Sequence, residues 1–307
     1  NKYAYPSPPL LELFNQKGIR LVDKNEKSEG FLKIGVKQNK TEYVFTESPF
    51  LNSYLKILYG EKEVPNTIQY IETLERICQN DISRFQRCPF IHKIFYKQEK
   101  DITVEDIIYI ENVLQKQKVK EVFGETCDKL LSILKDKTMP FTYDLSTNEL
   151  NYLFSLLVSM KQWFSFLKSE EHKDDTYLLP FLHEIHRGTD KDMNIVILET
   201  SKNKVNMKRT NFSRVEKFCF IYKKQPEENN VNKKGSIYEP LLYRHHEKKG
   251  RKWEREHTYI FSLSTTLTEK TIKIMDAISS DIYRSINDPF ETYKQILSTQ
   301  KLKDHIV

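Results

Sequence analysis

Hydrophobic and polar positions alternate with two different periods along this chain, and the change of period divides it into three stretches. In the first, IRLVD (residues 19–23), FLKIGV (31–36) and TEYVF (41–45) are short β-type runs separated by polar turns, the pattern of an antiparallel meander. The prolines of Tyr3–Pro9 forbid a helix and predict an extended arm, followed by a short helix over Leu10–Lys17 that stops at Gly18. From Pro49 the period becomes helical. Phe50, Leu51, Tyr54, Leu55 and Leu58 form one apolar stripe ending at Gly60, and Asn66 with Gln69 has capping-box spacing for a helix running to about Phe85.

Thr103 with Asp106 predicts the start of the next helix, and further helices are expected over Val119–Lys135 and Ser146–Lys168. The last opens on Ser146 and Glu149 and is apolar on almost every side (Leu150, Leu153, Phe154, Leu157, Met160, Trp163, Phe164, Leu167), which marks the central helix of a bundle. A short helix over Asp174–Arg187, with Pro180 inside it, ends at Gly188.

In the third stretch, Met193–Glu199 is apolar at successive positions and reads as a strand buried on both faces. Lys217–Lys223 and Ser236–Tyr243 are expected to pair with it, and His257–Leu263 supplies a fourth strand. Thr266 with Glu269, and Asp288–Pro289 with Glu291, open two closing helices. QPEENNVNKKG and HHEKKGRKWERE read as surface loops. The predicted fold is α+β: a small N-terminal meander with flanking helices (1–63), a helical bundle (64–188), and an antiparallel sheet with a basic rim and C-terminal helices (189–307).

Composition sharpens this picture. Charged residues make up 30% of the 307 and aromatics 12%, so an aromatic core under a charged surface is expected, not a disordered chain. Four scattered cysteines are too few for a disulfide framework and point to a reducing, intracellular setting. No apolar run approaches the ~20 residues that span a bilayer, so no membrane partner is expected. The first residue, Asn1, is not an initiator methionine, and the chain is expected to be either a processed product or a piece of something larger. Charge is uneven: Ser201–Glu256 holds sixteen Lys or Arg against seven Asp or Glu, a surplus of nine in a chain whose net charge is +6.

That surplus gathers in two segments. Lys202, Lys204, Lys208 and Arg209 form one, and Lys248, Lys249, Arg251, Lys252, Trp253 and Arg255 form the other. Lys and Arg neutralise phosphates and an indole stacks on a base, so these ten residues are the candidate nucleic-acid contacts. The same pattern also suits a plain solvated hairpin, or a surface for an acidic protein partner.

Other chemistry is thin. His183 with His186, and His245 with His246, lack the spacing of a zinc site. Cys78, Cys88 and His92 bracket a helix break and read as core residues more readily than as a nucleophile and its base. Asp190, Asp192, Glu199 and Lys202 raise the possibility of a metal-dependent nuclease, although the spacing is Glu-x-x-Lys. With eight glycines and no Walker or dinucleotide motif, no phosphate-cradling loop and no cofactor are predicted.

One stretch carries a family resemblance. The aromatic helix WFSFLKSEEHKDDTYLLPFLHEI, the acid-Thr-Tyr-Leu step at Asp175–Leu178, the strand Asn194–Glu199 and the Tyr-Glu-Pro strand Tyr238–Leu241 together resemble the large subunit of the early transcription factor of poxviruses, as found across nucleocytoplasmic large DNA viruses. The resemblance covers about ninety residues. It departs from the family's pattern at VNMKRTNF, where a Cys-Pro pair is expected, and at Leu179–Pro180, where a Trp-Asp step is expected. It implies a non-enzymatic viral protein of the host cytoplasm or virion that binds promoter DNA and recruits RNA polymerase or other transcription or virion proteins. A structural or scaffolding role is the alternative.

Overall fold

The computed structural model describes residues 2–4, 7, 8, 10, 12, 30–35, 48–60, 62–95, 102–135, 147–169, 171, 173, 175–201, 204–208, 217–224, 236–250 and 252–262. Among these, two compact units separate: one gathers the described residues of Asn1–Thr67 and His172–Pro289, the other those of Ile68–Glu171. The fold is α+β, with an N-terminal strand, a central helical bundle, and a C-terminal sheet, antiparallel in every pair but one, packed against helices.

The second unit is helical. α2 (Thr67–Asn80) and α3 (Ile82–Gln86) occupy the span expected to be one helix. The break falls at Asp81, whose carboxylate accepts from Ser83 Oγ (2.5 Å) and Arg84 Nε (3.0 Å), the local bonding by which Asp competes with a helical backbone. After α4 (Pro89–Phe95), α5 (Val104–Leu114) opens on a complete capping box: Thr103 Oγ1 accepts from the Asp106 amide and Asp106 accepts from the Thr103 amide. The helix expected over Val119–Lys135 is two, α6 (Gln117–Phe123) and α7 (Glu125–Lys135), because Gly124 at φ +50° turns the chain between them.

α8 (Asn148–Lys168) buries residues around most of its circumference and packs against α4, α5 and α7, as the central helix of a bundle does. Its N-cap is Thr147, whose Oγ1 accepts from the Leu150 amide. Trp163 lies 5.3 Å from Phe95 and 5.7 Å from Phe166, ring centre to ring centre, at the heart of this core.

The first unit is built on the sheet. Its strands are β1 (Lys2–Ala4), β2 (Gly30–Gly35), β3 (Asn194–Ser201), β4 (Lys204–Lys208), β5 (Lys217–Lys224), β6 (Ile237–Lys249), β7 (Lys252–Thr258) and β8 (Phe261–Ser262), in the order β1-β2-β6-β5-β3-β4, with β7 on β6 and β8 on β5. β3 is buried on both faces through Ile195, Val196, Ile197 and Leu198. It runs parallel to β5, so β6 pairs with β5 and not with β3 itself. Of the three meander strands, β2 is described and joins β6; the runs at 19–23 and 41–45, and the closing helices beyond Thr266, lie outside the described residues.

α1 (Pro49–Tyr59) lies on this sheet: Phe50 meets Tyr238 at 5.4 Å and Ser53 Oγ donates to the Tyr238 carbonyl at 2.7 Å. α9 (Asp175–His186) brings Asp175 onto the same face. Phe31, Phe220, Tyr243 and Phe261 fill the sheet's core, with centroids 5.3 to 6.3 Å from Phe31. Among the described residues no helix is long and apolar enough to cross a membrane.

Candidate nucleic-acid interface

HHEKKGRKWERE, which reads as a loop, is an extended two-stranded ribbon. β6 outruns its pairing with β5, which ends at Leu241, and its remainder pairs with β7 from Tyr243↔Thr258 to Lys249↔Lys252. The last pair, Lys249↔Lys252, leaves a short turn that begins at Gly250. Gly250 sits at φ +64°, the left-handed conformation that two-residue hairpin loops demand. The ribbon escapes hydrophobic reading because its alternation is between two kinds of polar residue, so a period-2 search for apolar positions finds nothing.

Register fixes what each face carries, because directly paired residues of an antiparallel ribbon point to the same side. One face holds Tyr243 with Thr258, His245 with Glu256, Glu247 with Glu254, and Lys249 with Lys252. Its two opposed glutamates, Glu247 and Glu254, repel; Lys249 relieves them by pairing with Glu254 at 3.5 Å, and it also bonds Glu256 closely. The bond to Glu256 raises the Lys249 pKa above its ordinary value and lowers that of Glu256. The other face holds Arg244 with His257, His246 with Arg255, and Lys248 with Trp253, and no carboxylate. Near the turn Lys248, Trp253 and Arg255 are exposed, Trp253 to 67%, whereas Arg244 at the base is buried.

The ten residues singled out by charge therefore do not form one site. Lys248, Lys249, Lys252, Trp253 and Arg255 share the ribbon, but Lys249 and Lys252 stand on its glutamate-bearing face. Lys202, Arg209 and Arg251 lie outside the described residues. Lys204 and Lys208 fall in β4, where Lys208 pairs with Ile197, in the row that continues through Ile221 to Pro240. Lys248 is eight residues further along β6, so about 25 Å of strand and three strand spacings separate the two segments. Arg244, His246 and His257 are the additions that register makes to the candidate face.

A second polar constellation lies on the α1-covered face of the sheet. Glu199, Lys223 and Tyr238 form one row across β3, β5 and β6. Lys223 Nζ is 2.7 Å from Asp175 Oδ1 and 3.4 Å from Glu199 Oε1, and the Tyr238 hydroxyl donates to the same Asp175 oxygen at 2.7 Å. Asp175, Lys223 and Tyr238 are all buried. This is how a buried charge is met by opposite charge inside a core.

The carboxylates grouped by the nuclease reading are not grouped in space. Asp192 precedes β3 and accepts from the Gly188 amide at 2.8 Å, while Glu199 sits near the other end of the strand, on the order of 20 Å away. Among the described residues no three His, Cys, Asp or Glu side chains gather where they could hold a metal ion. His245 and His246, as neighbours on a strand, point to opposite faces. Cys78 and Cys88 are buried thiols, and burial holds the Cys78 pKa well above its ordinary value. His92 bonds Ser155 Oγ at 2.9 Å. No family model, curated protein or solved structure matches the chain.

Proposed function

We propose that the β6–β7 ribbon is a nucleic-acid-binding element and that this chain acts as a binding module, in a transcription-associated setting, without catalysing a reaction of its own. The observation that carries this reading is how the ribbon sorts its carboxylates: Lys248, Arg255 and an indole stand on a face without any, while all three glutamates stand on the other face with Lys249 and Lys252. A solvated hairpin has no physical need to sort its charges, since alternating signs on each face lower its own energy. Sorting favours a partner that is itself a dense anion. A two-stranded ribbon is also of a size that a nucleic-acid groove admits. Promoter DNA, and RNA polymerase or virion proteins as further partners, follow from the resemblance to early transcription factor large subunits.

The test compares two variants with the same change of charge on opposite faces, Lys248→Ser/Arg255→Ser and Lys249→Ser/Lys252→Ser. Binding to labelled DNA is read by fluorescence anisotropy at about 50 and 200 mM salt. The parent is expected to bind with strong salt dependence. The first variant should bind more weakly with a salt slope shallower by about two, roughly one for each phosphate contact removed. The second should change little. Salt-independent binding, or equal losses from both faces, would overturn the proposal. Absence of DNA binding together with a stoichiometric acidic protein partner would replace it with the scaffolding reading.

A further inference from the structure

Resting on that reading, we infer that the ribbon's cationic face takes an unpaired strand in preference to a duplex, with Trp253 as the platform on which a base stacks. The indole is the largest apolar side chain left exposed among the described residues, at 67%, and it stands near the turn. Its directly paired neighbour on the same face is Lys248, with Cβ atoms about 5 Å apart, and the next pair on that face, about 7 Å along, is His246 with Arg255. A base laid on the indole would therefore have an ammonium beside it and a guanidinium one step along, where the phosphates of its own strand run.

A duplex can receive the ribbon in a groove but makes little use of the exposed indole. Its bases are stacked on one another and present only their edges, which Arg, Lys, Asn and Gln read well and an indole, with one N–H donor and no acceptor, reads poorly. An unpaired strand exposes base faces, and every base has one. The basic face is also too short of carboxamides for groove readout: none of its six paired residues is Asn or Gln. A membrane surface is the other partner that favours an exposed indole among cations. It is disfavoured here because Trp253 is the face's one large apolar group, and the neighbouring pairs offer nothing further to bury.

The experiment uses an oligothymidine of about 20 nucleotides, long enough to cover a site of this kind, and a blunt duplex of equal length, at one salt concentration. The chain has two tryptophans; Trp163 is fully buried, so quenching on binding reports Trp253. The unpaired strand is expected to bind more tightly than the duplex and to quench the emission. Trp253→Ala should weaken binding of the unpaired strand roughly ten- to hundredfold and the duplex little, and Trp253→Phe should restore most of the loss. Duplex binding equal to or tighter than single-strand binding, with Trp253→Ala changing neither, overturns this inference while leaving nucleic-acid binding in place. Binding of neither nucleic acid overturns both, and quenching by anionic vesicles in place of the oligonucleotide assigns the indole to a membrane.

Discussion

Lys223 shows how a single residue is defined by what surrounds it. Its ammonium is taken out of water, which costs several kcal/mol unless opposite charge meets it, and Asp175 and Glu199 supply that charge from two other elements. Asp175 in turn is the first residue of α9, so the pair fixes the start of that helix against β5. Replacing Asp175 by Leu removes the nearer of the two carboxylates from the ammonium, and urea unfolding is expected to show a loss of about 3 kcal/mol. Adding Lys223→Met to that variant should recover most of the loss, because it removes the unmet charge. An unchanged urea midpoint in the Asp175→Leu protein would contradict this account. Nothing about KFCFIYKK distinguishes Lys223 from Lys224 by type; alternation places Lys223 on the covered face and Lys224 in solvent.

At the scale of the element, the ribbon stands on its turn. A side chain at Gly250 would meet no heavy atom within 4 Å, so any cost of substitution there comes from the backbone at φ +64° alone. Gly250→Val is expected to open the ribbon locally: amides of 246–249 and 252–255 should exchange hydrogen faster while those of β3 and β5 keep their protection, and DNA binding should fall with the ribbon. Unchanged exchange in the ribbon would show that the turn tolerates the strain. The helices were more legible than the ribbon. Caps, stripes and the central α8 follow from local periodicity, whereas Asp81 and Gly124 interrupt helices that periodicity alone would continue. Met193–Glu199 was legible as a strand because its apolar run is unbroken; residues 245–256 were not, because charge has no period that a core imposes.

For the whole molecule, each unit half-buries a histidine that affects stability as a function of pH. Burial lowers the pKa of His92 in the helical unit; in the sheet unit burial also lowers that of His183, outweighing the opposite pull of Glu184 and Asp192. Unfolded, both return to about 6.5. The unfolded chain therefore binds more protons than the folded one as pH falls below that value, and stability present above it is lost toward the folded pKa. The urea midpoint is expected to be lower at about pH 5.5 than at about pH 7.5, and His92→Gln with His183→Gln should flatten that difference. An identical pH slope in parent and variant would assign the acid sensitivity to carboxylates.

The sequence by itself determined the α+β class, the helical bundle and its central helix, the buried strand β3, and the region where positive charge collects. Each of these is written in the spacing of residues close together in the chain. Only the tertiary structure decided that β2 joins β6, that β3 lies parallel to β5, that the two basic segments stand far apart, and that the ribbon's glutamates all stand on one face and leave the other without a carboxylate. Pairing partners are chosen by contacts between residues up to two hundred positions apart, and a register shift of one residue sends every side chain to the other face. Local periodicity carries no record of either choice.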